Sequence, residues 1–138
     1  EQGVSVTIIE QLQQFIKDAE TGDSRNLWIA DDDMQVYIRK GHHLLPNGKI
    51  ATTLDIANVT VEPSKQRKGL WTAFLAKAQE INPWEGVYVE CVHTPYLAMS
   101  LMKQGWIGVN NNESFFMPKD MVKYQSQQRL QRKFNHVF

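Results

Sequence analysis

One stretch of this chain, residues 61–71, joins an extended run to a helix through a basic turn. Val61 ends the extended run, Pro63 follows it, and Gly69 precedes an amphipathic helix that begins at Leu70. This order places unpaired backbone N–H groups, a helix N-terminus and three cationic side chains around one small volume. The stretch therefore predicts a strand–loop–helix unit that binds an anionic, phosphorylated ligand.

Hydrophobic periodicity divides the rest of the chain into helices and strands. Helical spacing indicates helices over 6–20, 70–82 and 95–103, and strand patterns occur over 27–30, 34–40, 49–61, 86–92, 106–109 and 113–117. Asn47-Gly48 is a hairpin signal, and Asn58 predicts a bulge or a break in the third strand. The strand–helix–strand order over 49–92 predicts a crossover between parallel strands, whereas the hairpins add antiparallel pairs.

Length and composition indicate one compact domain. The chain has 138 residues and no net charge, and we expect one domain over residues 1–118. A single cysteine cannot form a disulfide within the chain, so we expect the protein in the reducing cytoplasm. We see no leader pattern and no run long enough to cross a membrane. Residues 119–138 carry five Lys or Arg and one Asp, which predicts a basic C-terminal helix or tail. We favour packing on the domain, on a second copy or on a protein partner over docking of a nucleic acid.

The stretch 61–71 fits the pattern V-x-P-x-x-[QR]-x-x-G-x-[GA] except at its last position, which is Trp71. In this it resembles the acyl-CoA-binding signature of the GNAT superfamily of N-acyltransferases. The order of elements from Leu27 to Met117, including Gly105-Trp106 after a helix, is similar to that of the family. The resemblance implies an α/β (α+β) fold with a mixed, mostly antiparallel central sheet, splayed in the middle, and helices on both faces.

The resemblance also implies acetyl-CoA as co-substrate, no metal, and direct transfer of the acetyl group to a primary amine. Backbone amides from about Arg67 to Thr72 would wrap the pyrophosphate. Pantetheine would lie between the strands that end at Val61 and Val92. The residues that the resemblance assigns to the cofactor are Val59, Val61, Gln66, Arg67, Lys68, Gly69, Leu70, Trp71, Thr72, His93 and Thr94.

Two catalytic candidates follow from the resemblance. Some members carry a glutamate general base six residues before the valine of the motif, and Asp55 has that position here. It would take the amine proton directly or through a water, and the shorter side chain of Asp favours the water. A surface position on the strand is the alternative for Asp55. Many members protonate the thiolate with a tyrosine where this chain has Leu101, and Tyr96 is the nearest phenol on that helix. Because of Leu101 and the bulky Trp71, the alternative function is a non-catalytic GNAT-like interaction or inhibitor protein.

Three polar groups have simpler interpretations than a metal or nucleophile site. Cys91 and His93 are two apart on a predicted strand, and we favour a buried cysteine beside a structural histidine. His42 and His43 precede the hairpin turn, where we expect a solvated loop. Residues 31–33 are three aspartates that predict a solvated turn, because they lack the spacing of a calcium loop.

Overall fold

The structure, a computed structural model, describes residues 6–92 and 95–137, with side chains described as far as residue 130. Its helices are α1 (Ile8–Glu20), α2 (Leu70–Ile81), α3 (Pro95–Lys103) and α4 (Met121–Val137). Its strands are β1 (Asn26–Ala30), β2 (Met34–Leu44), β3 (Ile50–Val61), β4 (Gly86–Val89), β5 (Ile107–Val109) and β6 (Ser114–Pro118). The predictions for His93 and Thr94 lie outside the described residues.

The six strands form one mixed sheet in the order β1-β2-β3-β4-β6-β5. Four of the neighbouring pairs are antiparallel, and β3 with β4 is the parallel pair. The chain reaches β4 from β3 through α2, as the strand–helix–strand order predicts. The mixed, mostly antiparallel sheet expected from the sequence is therefore confirmed.

The sheet is splayed at its centre, between β3 and β4. Their parallel register ends at the pair Ile56–Val89, although β3 continues to Val61. On its other side β3 stays paired with β2, with a register shift between Tyr37 and Ile38. The shift leaves Ala57 as an extra residue on β3, so the bulge predicted around Asn58 is confirmed. β3 therefore turns away from β4 within the sheet.

Buried side chains form one cluster on each face of the sheet. The larger cluster lies under α1, α2 and α3, and the smaller one includes Tyr124 of α4. Val87 and Val89 belong to the first cluster, whereas Tyr88 between them belongs to the second, as alternation along a strand requires. Helices on both faces are thus confirmed. The division of the chain at residue 118 stays a prediction.

The first helix is defined by its cap and its apolar stripe. Thr7 Oγ1 accepts from Glu10 N at 3.1 Å, and Glu10 Oε1 accepts from Thr7 N at 2.9 Å, which is a capping box. The buried side chains of α1 recur at helical spacing along one face and are Ile8, Leu12, Phe15, Ile16 and Ala19. Each large apolar side chain of this kind stabilises the fold by about 1.5–3 kcal/mol when fully buried.

Two strand boundaries differ from the sequence prediction. β2 continues to Leu44, so His42 and His43 lie on a strand and the predicted solvated loop is wrong. β4 ends at Val89 rather than at residue 92, and Cys91 has a left-handed backbone with φ of 55°. Because that conformation cannot continue a strand, Cys91 turns outward and is exposed; the predicted buried cysteine is wrong.

Candidate active site

The loop between β3 and α2 is shaped by its backbone rather than by buried side chains. All side chains from residue 62 to 69 are exposed. Gln66 Nε2 donates to the Val61 carbonyl at 3.1 Å, so this side chain ties the loop back to the end of β3. Arg67 and Gly69 have left-handed backbones, with φ of 63° and 80°. The loop therefore curls around the start of α2 as a concave, cationic surface.

The N-terminus of α2 has no side-chain cap. Gly69 is the N-cap residue and no side chain bonds there, and the first helical bond runs from Ala73 N to Gly69 O at 2.9 Å. The N–H groups of Leu70, Trp71 and Thr72 precede that bond, so they have no partner four residues back. Together with the helix dipole they favour an anion at this end of α2.

A cleft of about 450 Å³ lies where β3 and β4 diverge. Its walls are residues 56–59 of β3 and residues 89–92, with Leu97 of α3 and Trp71 of α2 completing it. Among the described residues, the buried Nε1 of Trp71 has no hydrogen-bond partner. A buried indole N–H usually has one, so this atom is an unsatisfied donor on a residue of the cleft wall.

Asp55 is the centre of a polar cluster on the other face of the sheet. It is 1% exposed, so the alternative of a surface position is wrong. Thr53 Oγ1 donates to Asp55 Oδ1 at 2.5 Å, and Asp55 Oδ2 lies 2.9 Å from His43 Nε2. Both carboxylate oxygens are thus engaged by neighbours on β2 and β3.

Arg39 supplies the positive charge of this cluster. Its guanidinium lies 3.8 Å from Asp55 Oδ2 and donates to Glu90 in a closer ion pair. The hydrogen bond with Glu90 raises the pKa of Arg39 above its ordinary value. His43, Asp55 and Glu90 have ligand atoms within 4.8 Å of one another, as a cation site would need. Arg39 already pairs with both carboxylates, so these residues do not call for a metal.

His43 packs against the ring of Tyr88. The two ring centroids are 3.6 Å apart and the planes differ by 2°, so the rings are stacked. Burial raises the pKa of the Tyr88 phenol above its ordinary value of 10.0, and Asn110 Nδ2 donates to the phenolic oxygen at 3.3 Å. The stacking and the contact with Asp55 fix the imidazole from two sides.

A second cavity, of about 330 Å³, adjoins this cluster. His43, Tyr88 and Ser114 line it, together with Asn110 and Glu113 of the β5–β6 hairpin. Glu90 and Cys91 line both this cavity and the cleft between β3 and β4. A ligand in the cleft and a second ligand in the cavity would therefore meet at residues 90–91.

The structure brings some of the predicted site residues together and leaves others apart. Val59 and Trp71 line the cleft, and residues 66–72 form the loop and helix start next to it. Tyr96 is 77% exposed on α3 and does not line the cleft, whereas Leu101 on the same helix is buried in the core. The roles of all these residues stay predictions.

Sequence reasoning did not find the partners of Asp55. Arg39, Gly41 and His43 alternate along β2, so they share one face, and Arg39 is the direct cross-strand partner of Asp55. Extending the period-2 pattern of β2 past Gly41 would have placed His43 on this face. The sequence does not show that Tyr88 and Glu90 lie near Asp55, because the pairing of β4 with β3 joins residues that are far apart in the chain.

Solved structures of the AtaT and KacT toxins share this architecture. AtaT complexed with acetyl-methionyl-tRNAfMet is 12% identical, with a TM-score of 0.56, and the match covers 84% of this chain and 83% of that one. The KacTA–DNA complex is 16% identical, with a TM-score of 0.53 and coverage of 88% and 84%. These toxins are GNAT-fold acetyltransferases. The chain has the GNAT fold.

A third GNAT structure is a tyrosine-to-phenylalanine mutant of AtaT bound to acetyl-CoA and the C-terminus of the antitoxin AtaR. It is 15% identical with a TM-score of 0.53, and this chain spans 62% of its length. No family model matches the chain, and no curated protein does. Neighbours in complex with tRNA or DNA give no support to the expectation that nucleic acid is an unlikely partner. Within the described residues, no helix is both long and apolar enough to cross a membrane.

Proposed function

We propose that this chain transfers an acetyl group from acetyl-CoA to a primary amine. The observation that carries the proposal is the cleft between β3 and β4, with Trp71 from the uncapped start of α2 in its wall. Pyrophosphate would take the free amides of α2, and pantetheine would enter the cleft.

The reaction would take place where the cleft and the second cavity meet, at residues 90–91. The amine nitrogen attacks the thioester carbonyl carbon, the carbon–sulfur bond breaks, and CoA leaves as the thiolate. A backbone N–H of β3 in the wall of the cleft, within residues 57–59, polarises the carbonyl oxygen. The carboxylates of Glu90 and Glu113, which line the second cavity, attract the ammonium form of the acceptor, which gives one proton to solvent before the neutral amine attacks.

The acceptor class that we propose to test first is the aminoacyl end of a charged tRNA. It carries a primary amine, and AtaT, a neighbour in fold, has been solved with an acetylated aminoacyl-tRNA. The basic residues after 118 provide charge for a phosphate backbone. Free amino acids, polyamines and protein lysines are the other amine classes in the test.

Radiolabelled acetyl-CoA tests the proposal with these acceptors. We expect label to appear in one amine class, and we expect Gly69→Glu to reduce the rate because it places a carboxylate at the phosphate end of α2. Gly22→Glu is the matched control, because Gly22 also has a left-handed backbone with open space around it. Absence of acetyl-CoA binding and of transfer to every class would refute the proposal.

The alternative is a GNAT-fold module that binds acetyl-CoA or a protein without catalysis. The observation that favours it is Leu101, which is 1% exposed and leaves no phenol at the position where many members have one. Its partner would be a protein chain, held by the C-terminal segment or by the site surface. Acetyl-CoA binding without transfer to any acceptor class would select this function.

A further inference from the structure

We propose that His43 is the group that takes the proton from the amine and that Asp55 positions it. The inference rests on the proposed acetyl transfer and assigns roles within that same site. It changes the expectation from the sequence, in which Asp55 accepts the proton directly or through a water. The three observations that carry it are the burial of Asp55, the engagement of its two oxygens and the location of His43 at the second cavity.

Neither carboxylate oxygen of Asp55 is open to the amine substrate. Its carboxylate is 2% exposed, and Thr53 and His43 occupy Oδ1 and Oδ2 at 2.5 and 2.9 Å. Gly41 closes the remaining space, because even a Cβ at this position would overlap the carboxylate. Asp55 does not line the second cavity. A direct transfer to Asp55 would require an amine to displace one of these neighbours.

The contact with Asp55 fixes the tautomer of His43. A carboxylate offers acceptors alone, so Nε2 of the neutral imidazole must carry the hydrogen that fills the 2.9 Å contact. Nδ1 then has a lone pair. The imidazole is 22% exposed and lines the second cavity, so the ring that carries this lone pair adjoins the space where the amine would enter.

Other groups hold this imidazole and the carboxylate that contacts it. Tyr88 of β4 stacks on its face, Arg39 of β2 contacts Asp55, and Glu90 pairs with Arg39. The other charged group that lines the cavity is Glu113. Asp55 stabilises the imidazolium that forms, and the ion pair between Arg39 and Glu90 keeps the charges of the cluster balanced.

The proton transfer balances within the proposed reaction. The nitrogen–carbon bond forms, the carbon–sulfur bond breaks, and the proton that leaves the nitrogen binds His43 Nδ1. CoA leaves as a thiolate and takes a proton from water. His43 then returns its proton to the solvent, so the products are the acetylated amine and CoA in its thiol form.

The first test compares His43→Gln with His42→Gln. The control residue is adjacent but exposed, with its Nδ1 3.1 Å from Thr52 Oγ1. We expect His43→Gln to lower kcat about 100-fold or more, as loss of a general base does. Its affinity for acetyl-CoA should not change. The fall in rate at low pH, which occurs when the base gains a proton, should be absent from His43→Gln. Added imidazole should restore part of the activity of His43→Ala.

A nitrogen-15 NMR measurement shows which ring nitrogen of His43 carries the hydrogen, and it does not require the enzyme to be active. The long-range imidazole spectrum of the wild-type protein should show the neutral His43 ring with its hydrogen on Nε2. Asp55→Asn should lose this preference, because an amide can donate as well as accept. A hydrogen on Nδ1 would overturn the role of His43 but not the proposed acetyl transfer. The same holds if both the wild type and His43→Gln are fully active. An inactive wild type that fails to bind acetyl-CoA would instead refute the proposed function.

Discussion

Gly41 is the residue on which the geometry of the polar cluster depends most closely. Its backbone faces the buried carboxylate of Asp55 across the β2–β3 pair, and a Cβ there would overlap both carboxylate oxygens. The sequence gives no hint of this contact, because a glycine inside a strand pattern indicates a bulge as readily as a close approach. Here the glycine leaves room for a charge that the core must accommodate.

We predict that Gly41→Ala lowers the free energy of unfolding by about 1–3 kcal/mol, the usual cost of forcing atoms into a packed region. It should also reduce acetyl transfer, because Asp55 must move away from His43. Urea denaturation measures the first effect. In an Asp55→Ala background the same substitution should cost much less, because the overlapping group is gone. An equal cost in both backgrounds would contradict the proposed contact.

Tyr88 gives the protein a sensitivity to alkaline pH. Burial raises the pKa of its phenol above 10.0, so the folded state holds the neutral form after the unfolded chain has begun to ionise. The contribution of Tyr88 to the free energy of unfolding is therefore constant below pH 10. Above pH 10 it declines, by up to about 1.4 kcal/mol per pH unit.

Tyr88→Phe should therefore reduce the loss of stability between pH 9 and 11, as measured by urea denaturation at both values. Tyr96→Phe is the control, because Tyr96 is 77% exposed. An unchanged pH dependence in Tyr88→Phe would show that another group is responsible.

Among the elements, the hairpin between β5 and β6 closes one side of the second cavity with three left-handed residues. Asn110, Asn111 and Asn112 have φ of 52°, 59° and 63°. Asparagine tolerates this region better than other side chains apart from glycine. Asn110 also reaches Tyr88, so the hairpin connects to the polar cluster.

We expect Asn111→Gly to keep or raise the stability of the protein and Asn111→Val to lower it by about 1–2 kcal/mol, because a β-branched residue resists positive φ. Thermal unfolding of the two variants provides the comparison. Similar melting temperatures for both would argue against the left-handed turn.

Local sequence patterns predict the turn before β2 correctly but not the ends of β2 and β4. The three aspartates form the predicted turn, since Asp31 Oδ1 accepts from Asp33 N and Met34 N at 2.8 and 2.9 Å. The length of β2 was underestimated because Gly41 interrupts its apolar pattern for a reason on another strand. The end of β4 was placed too late, because Val92 is apolar and the left-handed turn at Cys91 has no sequence signature.

At the scale of the whole molecule, the loop between β3 and α2 and the mixed sheet could be predicted from local patterns. The polar cluster could not, because its members come from β2, β3 and β4 and meet through register. Arg39 pairs with Asp55, and Tyr88 pairs with Asp55 on the other side. Such contacts depend on how the strands align, whereas the loop depends on eleven consecutive residues.

The central claim for the molecule is that acetyl-CoA binds at the start of α2 and in the cleft between β3 and β4. Gly69 and Gly22 form a matched pair for a test, with φ of 80° and 84° and nothing near the site of an added Cβ. A glutamate therefore strains the backbone similarly at both positions. At Gly69 it also brings a negative charge to the proposed phosphates.

Calorimetric titration of acetyl-CoA into the wild type, Gly69→Glu and Gly22→Glu measures this difference directly. We predict saturable binding to the wild type and to Gly22→Glu, and at least about tenfold weaker binding to Gly69→Glu, or about 1.4 kcal/mol. Equal affinity of the two variants, or no binding to the wild type, would contradict the claim.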